Sequence, residues 1–410
     1  MGFSPGSGGG SSSIAGSTDV ALNSPQDDQV LAYESASAKW QNAFGQGGGS
    51  GGGIFITVAS STASSLIKSR ADYVCSGSND QVQINNALSA VQADPIGSGG
   101  AGGTVMLSAG TFSISSPILM CSRTTLSGSG WGTQLEPTGT NLQSVIALGD
   151  GDATHMTVVK DLTIHGNARG AHGIHYVQNA GPFPDISAPD AYHHFYNLNI
   201  FRVGSAANPR DGICLEGTNG GGRGTKMSFV RVRNPWRHGI NIQGFSDNKL
   251  SYCGTNTRAE SSGHGFVVGG GNCEISGSKA FYTTGDGFHI TSSRSNLVNC
   301  VSQDAGRHGF YLASTGTVIT GGQADSNGRL EPGDGYHMAG SGYTITGVRS
   351  ADRGQTPSSP QRYGFNFVSG TNKFVTGTAG SNGVSDSNGS PGANSYVRIA
   401  TESSGVISFG

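Results

Sequence analysis

A glycine recurs through the second half of the chain at nearly regular steps, and this recurrence limits the possible folds more than any other feature. It stands at Gly173, Gly212, Gly239, Gly265, Gly287, Gly309, Gly335 and Gly364, and the shortest steps are 22 residues. An apolar residue, any residue and a second apolar residue follow each time, as in Phe288-His289-Ile290. A helical repeat would show a 3.6-residue period inside each unit, and none is present. The pattern therefore predicts an all-β solenoid, a single-stranded parallel β-helix with one coil per unit.

Equivalent residues of stacked coils form columns along the axis of such a solenoid. We expect one inward aromatic column, made of Phe266, Phe288, Phe310, Tyr336 and Phe365. The residue between the two apolar positions points outward, and in three successive coils it is His289, Tyr311 and His337. Asparagines that open a later strand, at Asn248, Asn272 and Asn296, are expected to form a ladder of side-chain amides.

Composition excludes several classes of function. Only 12% of the residues are charged and the net charge is −2, so no strong field attracts nucleic acid. No apolar run approaches the roughly 20 residues of a membrane-spanning helix, and the N-terminus predicts no signal peptide. The six cysteines show neither a CxxC motif nor metal-ligand spacing, so we expect free thiols. We predict no cofactor and no metal.

The chain divides into four regions by composition. Residues 1–53 are rich in Gly and Ser and end in a linker, 54–137 form an N-terminal cap with the first coils, 138–380 form the coils, and 381–410 form a closing segment. One convincing helix is predicted, near residues 80–92. Asn79 or Asp80 would cap it, and Ile84, Leu88 and Val91 would give it one apolar face that closes the end of the solenoid.

Carboxylates beside the coils are candidates for catalysis. Glycoside hydrolysis needs two carboxyl groups about 5 to 10 Å apart. Asp304, Asp325 and Asp352 follow a strand in each of three units, so we expect one column in which Asp304 and Asp325 act as acid and base, with His308 nearby. Asp286 and Asp334 form a second set, which is interleaved with His264 and His308. The alternative is that Asp and His next to glycine are turn residues.

Binding is the other candidate function. The column His289, Tyr311 and His337 would stack on sugar rings, or would be an ordinary solvent-facing ladder. Trp236 lies in RVRNPWRHG among three arginines and is a further candidate for substrate binding, although Asn234-Pro235 predicts a turn there.

Three stretches carry a resemblance to a known family: ADYVCSGSNDQVQINNAL, GGTVMLSAGTFSISSPILMCSRTTLSGSGWGTQL and VVKDLTIHGN. They resemble the N-terminal part of pectate-lyase-like right-handed parallel β-helix proteins, and the resemblance covers about residues 54 to 380. The segment TDVALNSPQDDQVLAYESASAKW resembles a short repeat of bacteriophage tail fibres and minor tail proteins, particularly from phages of actinobacteria.

The combination implies a phage minor tail protein or tailspike that is made in the host cytoplasm and located in the virion tail. The resemblance further implies a homotrimer that binds other tail proteins through its N-terminal region and a host surface glycan through the β-helix. SGHGF matches the G-H-G tripeptide of polygalacturonases at His264, but the other motifs of that family are missing from the β-helix. Three functions therefore stay open: a tail protein that binds glycan, a tailspike depolymerase (hydrolase or lyase), and a bacterial surface or secreted lyase.

Overall fold

The computed structural model describes residues 20–21, 29–34, 39–44, 54–92, 102–139, 142–148, 154–178, 192–217, 222–257, 261, 263–354, 360–403 and 406–409. The chain forms two compact units, Met1–Gly53 and Ile54–Gly410. In the described residues of the first unit there are three strands, Val20–Ala21, Gln29–Glu34 and Lys39–Phe44. Gln29–Glu34 pairs antiparallel with Lys39–Phe44, and Val20–Ala21 pairs parallel with the same strand.

The second unit is a parallel β-helix, as predicted, and one of its faces is an eleven-stranded sheet in which every pairing is parallel. The recurring glycine lies at or just before the start of each strand from the third to the tenth. The strands are Ile118–Met120, Ser144–Leu148, His172–Gln178, Ile213–Gly217, Ile240–Gln243, Phe266–Val268, Phe288–Ile290, Phe310–Leu312, Tyr336–Ala339, Tyr363–Ser369 and Ser385–Gly389.

The other two faces belong to one continuous 22-stranded sheet, because some strands bend and cross from one face to the next. Val158–His165, for example, pairs with Thr124–Ser127 on one face and with Thr133–Pro137 on the other. The strands of this sheet are Ile54–Ala59, Tyr73–Val74, Gly103–Leu107, Gly110–Ile114, Thr124–Ser127, Thr133–Pro137, Val158–His165, His194–Phe201, Lys226–Ser228, Arg231–Arg233, Lys249–Ser251, Gly254–Thr255, Glu274–Ser276, Lys279–Phe281, Asn296–Val298, Val301–Gln303, Val318–Thr320, Gln323–Asp325, Thr344–Ala351, Phe374–Gly380, Tyr396–Ser403 and Val406–Phe409.

Two pairings fall outside the regular stack of coils. Gly222–Arg223 and Phe245–Ser246 form a separate two-stranded sheet. The last strand, Val406–Phe409, turns back antiparallel along Tyr396–Ser403. The parallel pairing of coils therefore extends to Glu402, inside the predicted closing segment.

The corner between the two faces of the 22-stranded sheet begins with a residue in the left-handed region. Asn299 has a φ of 52° and separates Asn296–Val298 from Val301–Gln303, and Gly321 has a φ of 65° at the same place in the next coil. Asn and Gly adopt this conformation at low steric cost.

The predicted helix is confirmed at Gln81–Gln92, with Ile84, Leu88 and Val91 fully buried. The Asp80 carboxylate accepts hydrogen bonds from the backbone N–H groups of Gly77 and Ser113, at 2.8 Å each. Asp80 therefore holds the preceding turn to a strand rather than capping the helix. The sequence did not predict the short helix Ser65–Arg70 or the 3₁₀ turn Gly130–Gly132.

The inward aromatic column is confirmed. Phe266, Phe288, Phe310, Tyr336 and Phe365 are paired in register and have no exposed surface. Neighbouring rings are nearly parallel, with centroids 4.7 to 5.2 Å apart. Each buried ring removes a large apolar surface from water, so this column is a main source of stability for the middle coils.

The predicted asparagine ladder is wrong. Glu274, not Asn272, pairs with Asn296, and Asn272 is an exposed corner residue with a φ of 56°. Asn248 is buried and its amide donates to the Cys273 thiol at 3.5 Å. Equal spacing in the sequence fails here because neighbouring coils differ in length.

The cysteine prediction is confirmed, since all six thiols are free. Burial raises the pKa of Cys75, Cys253 and Cys300 to about 12, so these thiols stay protonated and pack as small apolar groups. Among the described residues, no helix is long and apolar enough to cross a membrane.

Candidate functional site

The outward column, defined as His289, Tyr311 and His337, lies on three neighbouring strands in the C-terminal half of the eleven-stranded sheet. The three residues are paired in register, as predicted. The Tyr311 ring stacks between the two imidazoles, with centroid distances of 4.6 Å to His289 and 5.3 Å to His337. Both faces of Tyr311 are thus covered, and a sugar cannot stack on this ring while the column is intact. The column presents ring edges, with nitrogen and hydroxyl groups, to a ligand.

A second column, the turn column, consists of the residues that precede the recurring glycine. In chain order they are His172, Asp211, His238, His264, Asp286, His308 and Asp334. The backbone N–H of Asp286 donates to His264 Nδ1 at 2.9 Å, and that of Asp334 donates to His308 Nδ1 at 3.0 Å. Because Nδ1 accepts, the proton of each neutral ring lies on Nε2. Burial lowers the pKa of His264 to about 3 and of His308 to about 4, so both are neutral near pH 7.

The aspartates of the turn column are held by arginines from the next coil, as Asp286 and Asp334 show. Asp286 has no exposed surface, and Arg307 donates to it through Nε at 2.7 Å and Nη2 at 2.6 Å. Arg362 makes the same two bonds to Asp334, both at 2.9 Å. Burial alone would raise both pKa values, but the arginine and histidine bonds outweigh it. The pKa of Asp334 falls to about 2 and that of Asp286 lies well below its usual range, so both carboxylates are ionised.

These carboxylates orient the imidazoles of the outward column. His289 Nδ1 lies 2.7 Å from Asp286 Oδ2, and His337 Nδ1 lies 2.8 Å from Asp334 Oδ2. An ionised carboxylate only accepts hydrogen bonds, so each Nδ1 carries the proton and each Nε2 carries the lone pair. The two rings therefore have the opposite tautomer to His264 and His308. Each neutral ring can accept a hydrogen bond or a proton at Nε2, in a column that also contains the stacked Tyr311 ring.

The polar groups of the site are also at metal-ligand spacing. In the described part of the chain, His264, Asp286 and His289 form one cluster and His308, Asp334 and His337 another, each with ligand atoms within 4.8 Å. Both oxygens of each aspartate accept from a guanidinium, and His264 Nδ1 and His308 Nδ1 accept backbone N–H groups. The positive charge that balances these carboxylates is therefore supplied by arginine.

Asp304 and Asp325 are neighbours, since the Asp304 backbone N–H donates to the Asp325 carbonyl at 2.9 Å, but they do not form the predicted column. Asp325 pairs in register with Gln303 rather than with Asp304, so the two carboxylates are not equivalent positions of neighbouring coils. Asp304 is a fully buried corner residue with a φ of 52°. Burial, and then the charge of Asp325, raise its pKa. His308 lies in the turn column, where it faces Asp334 and stacks near His337.

Trp236, the remaining predicted binding residue, is half-buried on the turn between two faces. Its backbone N–H donates to the carbonyl of Val203 at 3.0 Å, and its Cβ packs against the Gly204 turn of the preceding coil.

Sequence reasoning missed the arginines of the site. Arg307 and Arg362 each stand two residues before the recurring glycine, as do Arg210 and Arg237. Arg237 also pairs with an aspartate of the turn column, donating from Nε to Asp211 at 2.6 Å. The sequence signal for these pairs was an arginine two residues before the glycine of one coil, preceded by an aspartate directly before the glycine of the coil before it.

No protein-family model and no curated protein sequence matches this chain. Solved structures do match its fold. The A-module of the mannuronan C-5 epimerase AlgE6 of Azotobacter vinelandii has a TM-score of 0.54 and 16% identity, over 80% of this chain and 96% of that one. The enzymatically active domain of tailspike protein 2 of bacteriophage CBA120 has a TM-score of 0.54 and 14% identity, over 74% of this chain and 45% of that one.

A third similar structure is the DFA-IIIase of Arthrobacter chlorophenolicus A6, in complex with GF2. It has a TM-score of 0.52 and 12% identity, over 81% of this chain and 93% of that one. At such low identities the likeness shows the fold: this chain is a parallel β-helix of the kind found in phage tailspikes and in carbohydrate-active enzymes.

Proposed function

We propose that this chain is a phage tail protein that binds a host cell-surface glycan through the outward column. The observation that carries the proposal is the arrangement of His289, Tyr311 and His337, whose hydrogen-bonding edges form one row with fixed tautomers. Such a row matches the hydroxyl groups along a sugar chain. The fold shared with a tailspike protein supports a tail location, and the phage-like N-terminal segment supports attachment to other tail proteins.

Binding to envelope glycan from candidate hosts tests this proposal. Tyr311→Phe keeps the stacked column and removes one hydroxyl, so we expect the Kd to rise about fivefold to tenfold, the value of one hydrogen bond. Tyr396→Phe is the matched control, because Tyr396 is 51% exposed on the other sheet and stacks on Phe374. Equal affinities for both variants and the unaltered protein would exclude the outward column as the binding site.

A second candidate function is cleavage of the bound glycan by β-elimination. The specific observation is a basic Nε2 on His289 and His337 next to a phenol that can donate a proton. On a 4-linked uronate, Nε2 would take the C5 proton while the electrons of that C–H bond form the C4–C5 double bond. The C4–O bond would break towards the glycosidic oxygen, which takes a proton from the Tyr311 hydroxyl.

Product analysis separates the two candidates. Host polysaccharide is incubated with the protein, and its chain length is followed by size exclusion together with the ultraviolet absorbance of a C4–C5 double bond. Shorter chains with this absorbance that disappear in His289→Gln or Tyr311→Phe would establish the lyase. Shorter chains without it, lost in Asp304→Asn and Asp325→Asn, would establish the predicted hydrolase. Binding with intact chains supports the non-catalytic tail protein.

The quaternary structure belongs to the same proposal. Cyclic symmetry is expected of a tail appendage, so we propose a homotrimer. Its native mass would be near three times 41.7 kDa, measured by light scattering on the full chain. A single species at the monomer mass would contradict this part of the proposal.

A further inference from the structure

A row of exposed aromatic side chains follows the corner between the two faces of the 22-stranded sheet, away from the outward column. The aromatic corner consists of Trp131, Tyr196, Phe229 and Tyr252, which are 40% to 63% exposed. Together with Arg231 and Lys279 they line a groove of about 600 Å³. Large exposed aromatic clusters on a soluble protein commonly mark a binding surface.

The backbone at this corner is unusual. Phe229 has a φ of 55° and Tyr252 a φ of 54°, whereas the neighbouring coils place Asn197, Gly277 and Asn299 at the equivalent corner with φ values of 51° to 55°. Bulky residues rarely adopt this conformation, which Asn and Gly adopt readily. The two aromatic residues are therefore present despite a cost in stability, and the corner geometry itself does not require them.

The rings are arranged as a continuous surface. Phe229 and Tyr252 are nearly parallel with centroids 5.4 Å apart, and Tyr196 meets Phe229 edge-on at 5.7 Å. A Cβ on Gly277 would lie 2.9 Å from the Tyr252 ring, so glycine in the next coil leaves room for this ring. From the strand after Trp131 to the strand that holds Lys279, the groove spans five strand spacings of about 4.8 Å, or roughly 24 Å. This length suits an extended polymer.

The charge of the groove indicates which polymer. Arg231 and Lys279 are exposed at its rim, and no carboxylate lines it among the residues that the structure describes. Aromatic rings pack against the apolar faces of sugar rings, and the two cations attract carboxylates or other anionic substituents. We propose that the aromatic corner is a second glycan site, which binds an anionic polysaccharide chain lengthwise. The proposal does not depend on the function of the outward column.

The test measures binding of oligogalacturonates to the full chain by calorimetry, with dextran oligomers as the neutral comparison. The variants are Phe229→Asn and Tyr252→Asn, because Asn occupies this corner in neighbouring coils and suits the backbone. We expect each variant to raise the Kd for oligogalacturonate about tenfold while its melting temperature stays equal or rises. Binding should weaken with added salt and be absent for dextran.

The matched control is Tyr282→Asn, which replaces another exposed aromatic residue with a positive φ, of 50°, outside the groove. It should bind oligogalacturonate like the unaltered protein. Equal binding by the unaltered protein and by the Phe229 and Tyr252 variants would overturn the proposal, as would no binding of oligogalacturonate at all. A fall in native mass for these variants with unchanged glycan affinity would also overturn it, since the corner would then be a contact between copies of the chain.

Discussion

Two pairs of aspartates in this β-helix experience opposite environments. Asp286 and Asp334 are fully buried, but each is bound by an arginine and a histidine, and their pKa values fall. Asp304 is equally buried, its Oδ1 has no hydrogen-bond partner among the described residues, and its pKa rises. The carboxylate of Asp325, its neighbour, accepts from the Ser326 hydroxyl at 3.1 Å and lies 3.5 Å from the exposed Arg353 guanidinium.

The difference shows that burial does not decide the charge state of a carboxylate in a solenoid. The charge state depends on whether the next coil places a cation within hydrogen-bond distance of the carboxylate. Arg307 and Arg362 do so beside the eleven-stranded sheet, and each carboxylate can then fix the tautomer of a histidine in the outward column. Among the described residues, no arginine pairs in this way with the Asp304 carboxylate. We therefore do not expect Asp304 to fix the tautomer of a histidine.

The largest expected effect comes from removing an arginine that pairs with one of the two buried aspartates. Arg307→Gln leaves the Asp286 carboxylate buried without its cation, which should lower the free energy of unfolding by about 3–5 kcal/mol. Denaturant unfolding measures this. Arg353→Gln is the control, since that guanidinium is 52% exposed and its pair with Asp325 should contribute no more than about 1 kcal/mol. Similar losses of unfolding free energy in the two variants would mean that the pair of Asp286 and Arg307 contributes no more than an exposed ion pair.

A smaller effect on stability is expected from replacing the aspartates with asparagine. Its direction should differ between Asp286 and Asp304. Asp286→Asn replaces charge-assisted bonds to Arg307 and His289 and should cost about 2–3 kcal/mol. Asp304→Asn removes a buried charge whose Oδ1 is unpaired, so stability should stay within about 1 kcal/mol of the unaltered protein or increase. Thermal unfolding of the two variants at pH 7 compares them. A larger loss of stability for Asp304→Asn than for Asp286→Asn would contradict the proposed difference between their environments.

The smallest effect per unit of change is the dependence of stability on pH, because the loss is spread over several pH units. The pKa values of His264 and His308 are lowered by folding, so the unfolded chain binds more protons as the pH falls below about 6.5. Stability is therefore lost on acidification towards pH 4, by about 1.4 kcal/mol per pH unit for each such histidine. Asp286 and Asp334 add a loss of the same sign below about pH 4. Unfolding curves between pH 7 and 5 should flatten in His264→Asn, and an unchanged slope would contradict this assignment.

The sequence predicted the fold and the outward column because both depend on the glycine that marks the start of each coil. Phe288 and His289 have a fixed distance from Gly287, so their columns follow directly. Asp304 and Asp325 are 21 residues apart, whereas Gln303 and Asp325, which pair in register, are 22 apart, so the predicted column is wrong by one residue. The bonds from Arg307 and Arg362 join different coils, and local spacing alone does not reveal them.

The aromatic corner was beyond prediction for a related reason. Phe229 and Tyr252 are single residues between short strands, and nothing in their local sequence distinguishes an exposed corner from a buried position. Only the coil-by-coil alignment in the structure places them beside Asn197 and Gly277.

The most direct test of the central claim is a crystal structure of the full chain with an oligosaccharide from the host envelope. We expect sugar hydroxyl groups within hydrogen-bond distance, roughly 3 Å, of Tyr311 Oη and of Nε2 on His289 or His337. Occupancy of the aromatic corner as well would agree with the second site. An oligosaccharide bound elsewhere, with the outward column bare, would contradict the claim that this column recognises the glycan.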